Sequence, residues 1–186
     1  MKAIFLDRDG VINQHPGDLK YVDSWKKFKF LKGVKSALKE LSQNGYLLFI
    51  ASNQAGVSKG VYSQDTLDKI TVKMLGELQK TGALFQAVYY CIHKKEENCG
   101  CRKPKPGLIK KAIEEAREFG IQIEAKKSYF IGDTQRDIQA GKNAGLKTIL
   151  VFSGKEKAGG QKNWKIKPDI YVKNLSAATK LILKIK

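Results

Sequence analysis

The chain has 186 residues, of which 42% are hydrophobic, so a disordered or fibrous protein is excluded and one domain with a sizeable core is expected. Its 35 lysine and arginine residues outnumber 18 acidic residues, and the formal charge of +17 favours anionic partners such as phosphates, nucleic acid or acidic lipid. Because the lysines are scattered rather than gathered into long runs, the pattern is typical of a solvated basic surface.

Short β-branched runs alternate with amphipathic stretches along the chain. Each run has the length of a buried strand and is bounded by turn residues. The predicted strands are 2–6 (KAIFL), 46–52 (YLLFIAS), 87–91 (AVYYC), 128–132 (SYFIG) and 147–152 (KTILVF), with 169–172 (DIYV) as a sixth strand at an edge.

The stretches between these strands have helical spacing. In 33–45 the apolar residues fall on one face, and a glycine ends the pattern. Further helices are predicted over 63–82, 106–120, 137–146 and 175–185. Since alternating strands and helices imply parallel pairing through right-handed crossovers, we predict one α/β domain over 1–186 with a doubly wound, mainly parallel sheet.

Two aspartates follow the first strand, at the end of the sheet where such folds bind ligands. Asp7 and Asp9 are two positions apart, so their side chains point to the same side while the chain stays extended. Two crowded carboxylates need a cation or a shared proton, and a hard cation such as Mg²⁺ suits carboxylate oxygens. On its own, this pair is also compatible with an ordinary turn.

Polar and basic residues follow the second and third strands. Ser52, Asn53 and Gln54 suit a phosphate oxygen, although they equally suit a helix cap or a turn. Lys103 follows the third strand, and a cation beside an acidic site would neutralise a bound phosphoryl group.

Two more aspartates follow the fourth strand. Asp133 lies directly at its end and could complete an oxygen cage with Asp7 and Asp9. Asp137 comes one helical turn later, where it could support that cage or simply favour a helix N-terminus. Four strand ends therefore supply acid, hydroxyl, base and acid, a set that chance explains poorly.

The segment 91–107 (CIHKKEENCGCRKPKPG) contains all three cysteines. Three cysteines cannot all pair, and a reducing cytoplasm disfavours disulfides. Tetrahedral Zn²⁺ accepts three thiolates and one imidazole, and a site filled by four protein ligands is structural rather than catalytic. We therefore predict one structural zinc, with unliganded cysteines as the alternative. The ligands would be Cys91, His93, Cys99 and Cys101.

The segments DRDGVIN, SNQ, RKP and GDTQRD resemble, in this order, the four motifs of haloacid dehalogenase (HAD)-type phosphohydrolases, over 3 to about 152. The cysteine segment is similar to that of the zinc-carrying group in that superfamily, which contains histidinol-phosphate phosphatases and D-glycero-D-manno-heptose 1,7-bisphosphate 7-phosphatases. The resemblance implies a Rossmann-like core. No large cap domain is visible between the motifs, so short loops, including the zinc loop 91–107, would govern access.

The resemblance also implies a magnesium-dependent phosphomonoesterase with an aspartyl-phosphate intermediate. Asp7 would be the nucleophile, and Asp9 would protonate the leaving alcohol and then accept a proton from water. Mg²⁺ would be held by Asp7, the backbone carbonyl of Asp9 and Asp133. The remaining implied roles are stabilisation of the phosphoryl group by Ser52 and Lys103, and contact with substrate by Asn53, Gln54, Arg102, His15 and Asp18.

One position departs from the heptose enzymes, which usually carry lysine where this chain has Thr134, so one cationic contact is missing. The segment PGDLKYV nevertheless favours heptose bisphosphate over histidinol phosphate or another small phosphomonoester. The charge alone suggests a nucleic-acid 3′-phosphatase, and no stacking arrangement of aromatic residues supports it. A binding module without activity is disfavoured because every catalytic position is filled.

The N-terminal residues lack the long apolar region of a signal peptide, and no stretch approaches the roughly 20 apolar residues that span a bilayer. We therefore expect a cytoplasmic, monomeric enzyme whose partner is a small phosphorylated substrate, with neither membrane nor nucleic acid as a partner.

Overall fold

Six strands form a single sheet in a computed structural model of the chain, which describes residues 1–185. The strands are β1 (Ala3–Leu6), β2 (Leu47–Asn53), β3 (Phe85–Cys91), β4 (Tyr129–Gly132), β5 (Lys147–Val151) and β6 (Ile170–Val172). Their order is β3-β2-β1-β4-β5-β6, and every neighbouring pair is parallel. The predicted doubly wound α/β fold is confirmed, and the strand order reverses between β1 and β4.

Five helices connect the strands, together with short 3₁₀ turns at Trp25–Lys27 and Ala125–Lys127. The helices are α1 (Val34–Gln43), α2 (Gln64–Gln79), α3 (Gly107–Glu118), α4 (Gln135–Asn143) and α5 (Leu175–Lys184). Each predicted helix is found, but α4 begins two residues earlier than the sequence pattern suggested. The reason is a capping box in which the side chains of Thr134 and Asp137 bond each other's backbone N–H groups.

The sheet is buried on both faces. Along β1, Ile4 and Leu6 belong to one hydrophobic core, whereas Ala3 and Phe5 belong to the other. The first core is covered mainly by α1, α2 and α5, and the second by α3 and α4. Near-continuous apolar strands are what a parallel sheet with helices on both faces requires.

Only loops cover the carboxyl edge of the sheet, so no large cap is present in the described residues. Between β1 and α1 the chain forms a loop that is held by isolated bridges from Asn13 to Asp9 and Phe30. Gly10 opens this loop with φ +85°, and a Cβ atom there would lie 2.2 Å from a carboxylate oxygen of Asp133. Within residues 1–185, no helix combines the length and the apolar character needed to cross a membrane.

Candidate active site

Three aspartates meet where the strand order reverses. Asp7 follows β1, Asp133 follows β4 and Asp137 lies in the first turn of α4, and one carboxylate oxygen of each lies within 4.8 Å of the others. The backbone N–H of Asp7 donates to the carbonyl of Ile131 on the neighbouring strand, which fixes the separation of the strand ends. Adjacent parallel strands therefore bring Asp7 and Asp133 together as expected, but the third carboxylate of the cluster is that of Asp137 and not the predicted Asp9.

Lys103 is buried beside these carboxylates, and its side chain is 3% exposed. Its ammonium lies 2.9 Å from Asp7 Oδ1 and 2.6 Å from Asp137 Oδ1. Burial by itself would lower the pKa of Lys103, but the two carboxylates outweigh it and raise that pKa, so the side chain remains a cation. The site thus has a fixed positive charge in contact with the predicted nucleophile.

Asp137 fills both roles that the sequence left open. Its Oδ2 atom accepts hydrogen bonds from the backbone N–H (2.9 Å) and the hydroxyl (2.6 Å) of Thr134, while its Oδ1 atom contacts Lys103. Because both oxygens are engaged in this way, Asp137 caps α4 and holds the lysine at the same time. Thr134 caps α4.

The carboxylate of Asp9 is held apart from the acidic cluster by three donors. It accepts bonds from the Arg8 guanidinium (3.0 Å to each oxygen), from Asn13 Nδ2 (2.8 Å) and from Gln54 Nε2 (2.9 Å). Burial alone would raise the pKa of Asp9, but the charge of Arg8 and the hydrogen bonds outweigh it and lower that pKa. This arrangement is compatible with the expectation that Asp9 offers a metal its carbonyl rather than its carboxylate.

The acidic cluster suits a hard divalent cation. Asp133 is 1% exposed, and one of its oxygens accepts the backbone N–H of Lys155 at 2.7 Å. Burial, together with the charges of Asp137 and Asp7, raises the pKa of Asp133 well above its usual value. The nearby ammonium of Lys103 does not offset this rise in the pKa of Asp133. Full ionisation of Asp133 therefore calls for a further cation. Carboxylate oxygens are the ligands that Mg²⁺ prefers.

A cavity of about 140 Å³ opens above the aspartates. It is lined by the following predicted site residues: Asp7, Asp9, His15, Ser52, Asn53, Gln54, Lys103 and Asp133. Further lining residues that were missed as site residues from the sequence are Lys20, Tyr21, Val22 and Arg136. Arg136 lies within the segment GDTQRD, one position before Asp137, so the helical geometry of that motif was the available signal.

Two predicted substrate contacts lie outside this cavity. Arg102 donates to the carbonyl of His93 at 3.0 Å and lines a neighbouring cavity of about 340 Å³. Asp18 is exposed and pairs with Lys155 at 2.6 Å. Asn53 lines the first cavity, but both polar atoms of its amide bond the backbone of Lys103 at 3.1 Å. Asn53 therefore fixes the backbone of Lys103 in addition to lining the cavity.

The four predicted zinc ligands come together at the end of β3. One ligand atom from each of Cys91, His93, Cys99 and Cys101 lies within 4.8 Å of all the others. Cys99 Sγ is 3.6 Å from Cys91 Sγ and 3.4 Å from Cys101 Sγ, and all three thiols are free. These separations are much longer than the roughly 2.05 Å of a disulfide bond. The donor set fits a tetrahedral, thiolate-rich metal site.

Comparison with known proteins agrees with this geometry. A family described as HAD-hydrolase-like matches residues 100–178. The D-glycero-beta-D-manno-heptose-1,7-bisphosphate 7-phosphatase of Pasteurella multocida is 40% identical over 161 residues, covering 83% of each chain. The corresponding enzyme of Campylobacter jejuni, named for the alpha anomer, is 40% identical over 158 residues, covering 85% of this chain and 86% of its own.

A solved structure extends the similarity to the whole described fold. The D,D-heptose 1,7-bisphosphate phosphatase from B. bronchiseptica, in complex with magnesium and phosphate, superposes with a TM-score of 0.88. It is 31% identical, and the match covers 100% of both chains. The family prediction made from the four motifs is confirmed. The chain therefore belongs to the HAD-like hydrolase family, and within that family it is a phosphatase.

Proposed function

We propose that the chain is a magnesium-dependent phosphatase that removes the 7-phosphate of D-glycero-D-manno-heptose 1,7-bisphosphate through an aspartyl-phosphate intermediate. The observation that carries this proposal is the contact of Asp7 with Lys103 beside Asp133, at the point where the strand order reverses. The names of the relatives supply the substrate.

Asp7 would act as the nucleophile. One of its carboxylate oxygens attacks phosphorus, the bond from phosphorus to the ester oxygen breaks, and the sugar leaves as its alcohol. An anionic carboxylate approaches an anionic phosphoryl group only if positive charge offsets the repulsion, and Lys103 supplies such a charge in direct contact with Asp7. Magnesium held by Asp7, the carbonyl of Asp9 and Asp133 would add further positive charge against the phosphoryl oxygens.

Asp9 would handle the protons. In the first step it gives a proton to the departing ester oxygen, and in the second it removes one from the water that attacks the aspartyl-phosphate. The second step releases inorganic phosphate and restores the Asp7 carboxylate. The donors that lower the pKa of Asp9 favour its ionised form, which is the form needed to activate that water. The proton given up in the first step would therefore be taken up when the negative charge of the substrate binds beside Asp9.

We also propose that Cys91, His93, Cys99 and Cys101 bind one structural zinc ion. Cys101 lies two residues before Lys103, so a metal at these ligands would fix the segment that positions the Lys103 ammonium beside Asp7. All four tetrahedral positions would be filled by protein, which leaves no place for a reacting water.

Basic residues beside the catalytic cavity support a substrate with two phosphates. The neighbouring 340 Å³ cavity is lined by Lys95, Arg102, Lys105 and Arg136, and Arg136 also lines the catalytic cavity. These four cations, with Lys103 as a fifth in the lining, favour a second anionic group on the substrate. They disfavour histidinol phosphate, whose amino group is itself a cation.

The test is release of inorganic phosphate from four substrates in the presence of Mg²⁺. The substrates are the two anomers of heptose 1,7-bisphosphate, histidinol phosphate and a 3′-phosphorylated oligonucleotide. We expect one phosphate per heptose bisphosphate, released from position 7, and loss of activity in Asp7→Asn. The control is Asp65→Asn, which changes an exposed carboxylate on α2 that pairs with Lys69. A higher kcat/KM for histidinol phosphate or the oligonucleotide would contradict the proposed substrate.

A further inference from the structure

A tyrosine outside the four motifs is connected to Asp9 through one side chain. Tyr62 is 8% exposed, and its hydroxyl donates a hydrogen bond to Gln54 Oε1 at 2.8 Å. The other end of the same amide, Gln54 Nε2, donates to Asp9 Oδ2 at 2.9 Å and to Ser52 Oγ at 3.2 Å. Tyr62, Gln54 and Asp9 therefore form a continuous hydrogen-bonded row.

The direction of this row is set by chemistry. An amide donates from nitrogen and accepts at oxygen, so Gln54 can bond the Asp9 carboxylate only through Nε2. Its carbonyl then faces away from Asp9 in a buried place, where an acceptor without a partner is costly. The Tyr62 hydroxyl supplies that partner. Burial raises the pKa of Tyr62 well above its usual range, so the hydroxyl keeps the proton that it donates.

The ring of Tyr62 is itself fixed in place. A Cβ atom at Gly56 would lie 2.2 Å from Tyr62 Cε1, so the ring packs directly on the glycine backbone. The backbone N–H of Val61 donates to the carbonyl of Gly56 at 2.9 Å and closes this short loop. The ring also meets Tyr21 edge-on, with centroids 6.2 Å apart. The hydroxyl is thus held ready before substrate arrives.

We infer that Tyr62 is a positioning residue that keeps Asp9 aligned for proton transfer by orienting the amide of Gln54. The inference rests on the proposed function, since it requires Asp9 to be the group that protonates the leaving alcohol. Without the Tyr62 hydroxyl, Gln54 Oε1 loses its hydrogen-bond donor, and the amide can rotate away from Asp9. Asp9 would keep its bonds to Arg8 and Asn13, so the fold and substrate binding would be retained.

The test compares two leaving groups in the Tyr62→Phe variant. Heptose bisphosphate releases an alcohol that needs a proton as it departs, whereas 4-nitrophenyl phosphate releases a stabilised phenolate that does not. We expect kcat/KM, which reports the steps through departure of the leaving group and not the later hydrolysis, to fall about tenfold on heptose bisphosphate and less than about twofold on the aryl phosphate. Gln54→Met should show the same pattern. Adding Tyr62→Phe to Gln54→Met should have no further effect, because the tyrosine acts through that amide.

A matched control is Tyr89→Phe, which removes another hydroxyl, one that donates to Glu115 at 2.6 Å. It should change kcat/KM on neither substrate, and thermal unfolding of each variant checks that the fold is intact. Equal loss of kcat/KM on both substrates in Tyr62→Phe, no loss on either, or additive losses in the double variant would overturn the inference. Asp9→Asn separates this failure from that of the proposed function. If Asp9→Asn lowered kcat/KM equally on both substrates, the acid role of Asp9 in the first step would be wrong.

Discussion

The side-chain amide of Asn53, at the end of β2, forms two hydrogen bonds with the backbone of Lys103 in the loop between β3 and α3, each 3.1 Å long. The amide nitrogen donates to the Lys103 carbonyl, and the Lys103 N–H donates to the amide oxygen. The ammonium of Lys103 is therefore positioned by its own backbone as well as by the carboxylates that it contacts.

Removing these two hydrogen bonds is expected to lower kcat more than it weakens substrate binding. In Asn53→Ala, kcat should fall about 10–100-fold, since small displacements of a charged group in an active site have effects of that size. Steady-state kinetics on heptose bisphosphate measures it. Asn44→Ala is the control, because it removes an amide that donates to the Glu40 carbonyl at the end of α1. A rise in KM with unchanged kcat would mean that Asn53 instead binds substrate.

The cysteine cluster is expected to govern stability and the placement of Lys103 together. Cys99→Ser should lose the bound zinc measured by elemental analysis and lower the free energy of unfolding by at least about 3 kcal/mol. Activity should fall as well, because Lys103 follows the cluster directly. Asp7→Asn provides the contrast, since it should abolish activity while leaving zinc content and stability intact. If wild-type protein from cells supplied with ample zinc contained no zinc, the metal assignment would be refuted.

Arg136 is expected to distinguish a bisphosphate from a monophosphate. In Arg136→Gln, KM for heptose 1,7-bisphosphate should rise about tenfold, whereas KM for a heptose 7-monophosphate should barely change. The guanidinium lies where the two cavities meet, and no ion pair is seen for it among residues 1–185. Arg117→Gln is the matched control, since that exposed arginine pairs with Glu114 on α3. Equal changes in KM for both substrates would rule out a contact with the second phosphate.

Asp169 should make the stability of the sheet edge depend on pH. Burial raises the pKa of its carboxyl, but bonds from Lys142 and Thr148 outweigh this, and the pKa is lowered from 3.8. A lowered folded-state pKa stabilises the protein above the unfolded value and loses that contribution as pH falls through the folded value. Solvent screens the partly exposed pair, so Asp169→Asn should cost about 1 kcal/mol at pH 7.

Chemical denaturation between pH 7 and pH 3 measures this difference. The difference in free energy of unfolding between wild type and Asp169→Asn should shrink below about pH 4, where the wild-type carboxyl begins to take up its proton. Asp65→Asn, an exposed change on α2, should show no such convergence. A gap that widens on acidification would have the wrong sign for this mechanism.

The sequence was informative wherever local pattern decides structure. Apolar runs of strand length predicted all six strands, and the position of Asp7 and Asp133 after two of them predicted the acidic cluster. What it could not predict were contacts fixed by loop geometry. Gln54 follows β2 among small polar residues that suit a phosphate, yet its amide bonds Asp9 and Tyr62. Arg102 precedes Lys103, yet its guanidinium donates to the His93 carbonyl.

The segment after β5 holds Asp133 by its main chain, and this determines which substitutions it can tolerate. A Cβ atom at Gly154 would lie 2.0 Å from Asp133 Oδ2, so even alanine should disturb the carboxylate. At Lys155 the essential group is the N–H, which every residue except proline possesses. Saturation mutagenesis should therefore find that almost no substitution is tolerated at Gly154, whereas most are tolerated at Lys155. Neighbouring residues that serve the same aspartate would then evolve at very different rates.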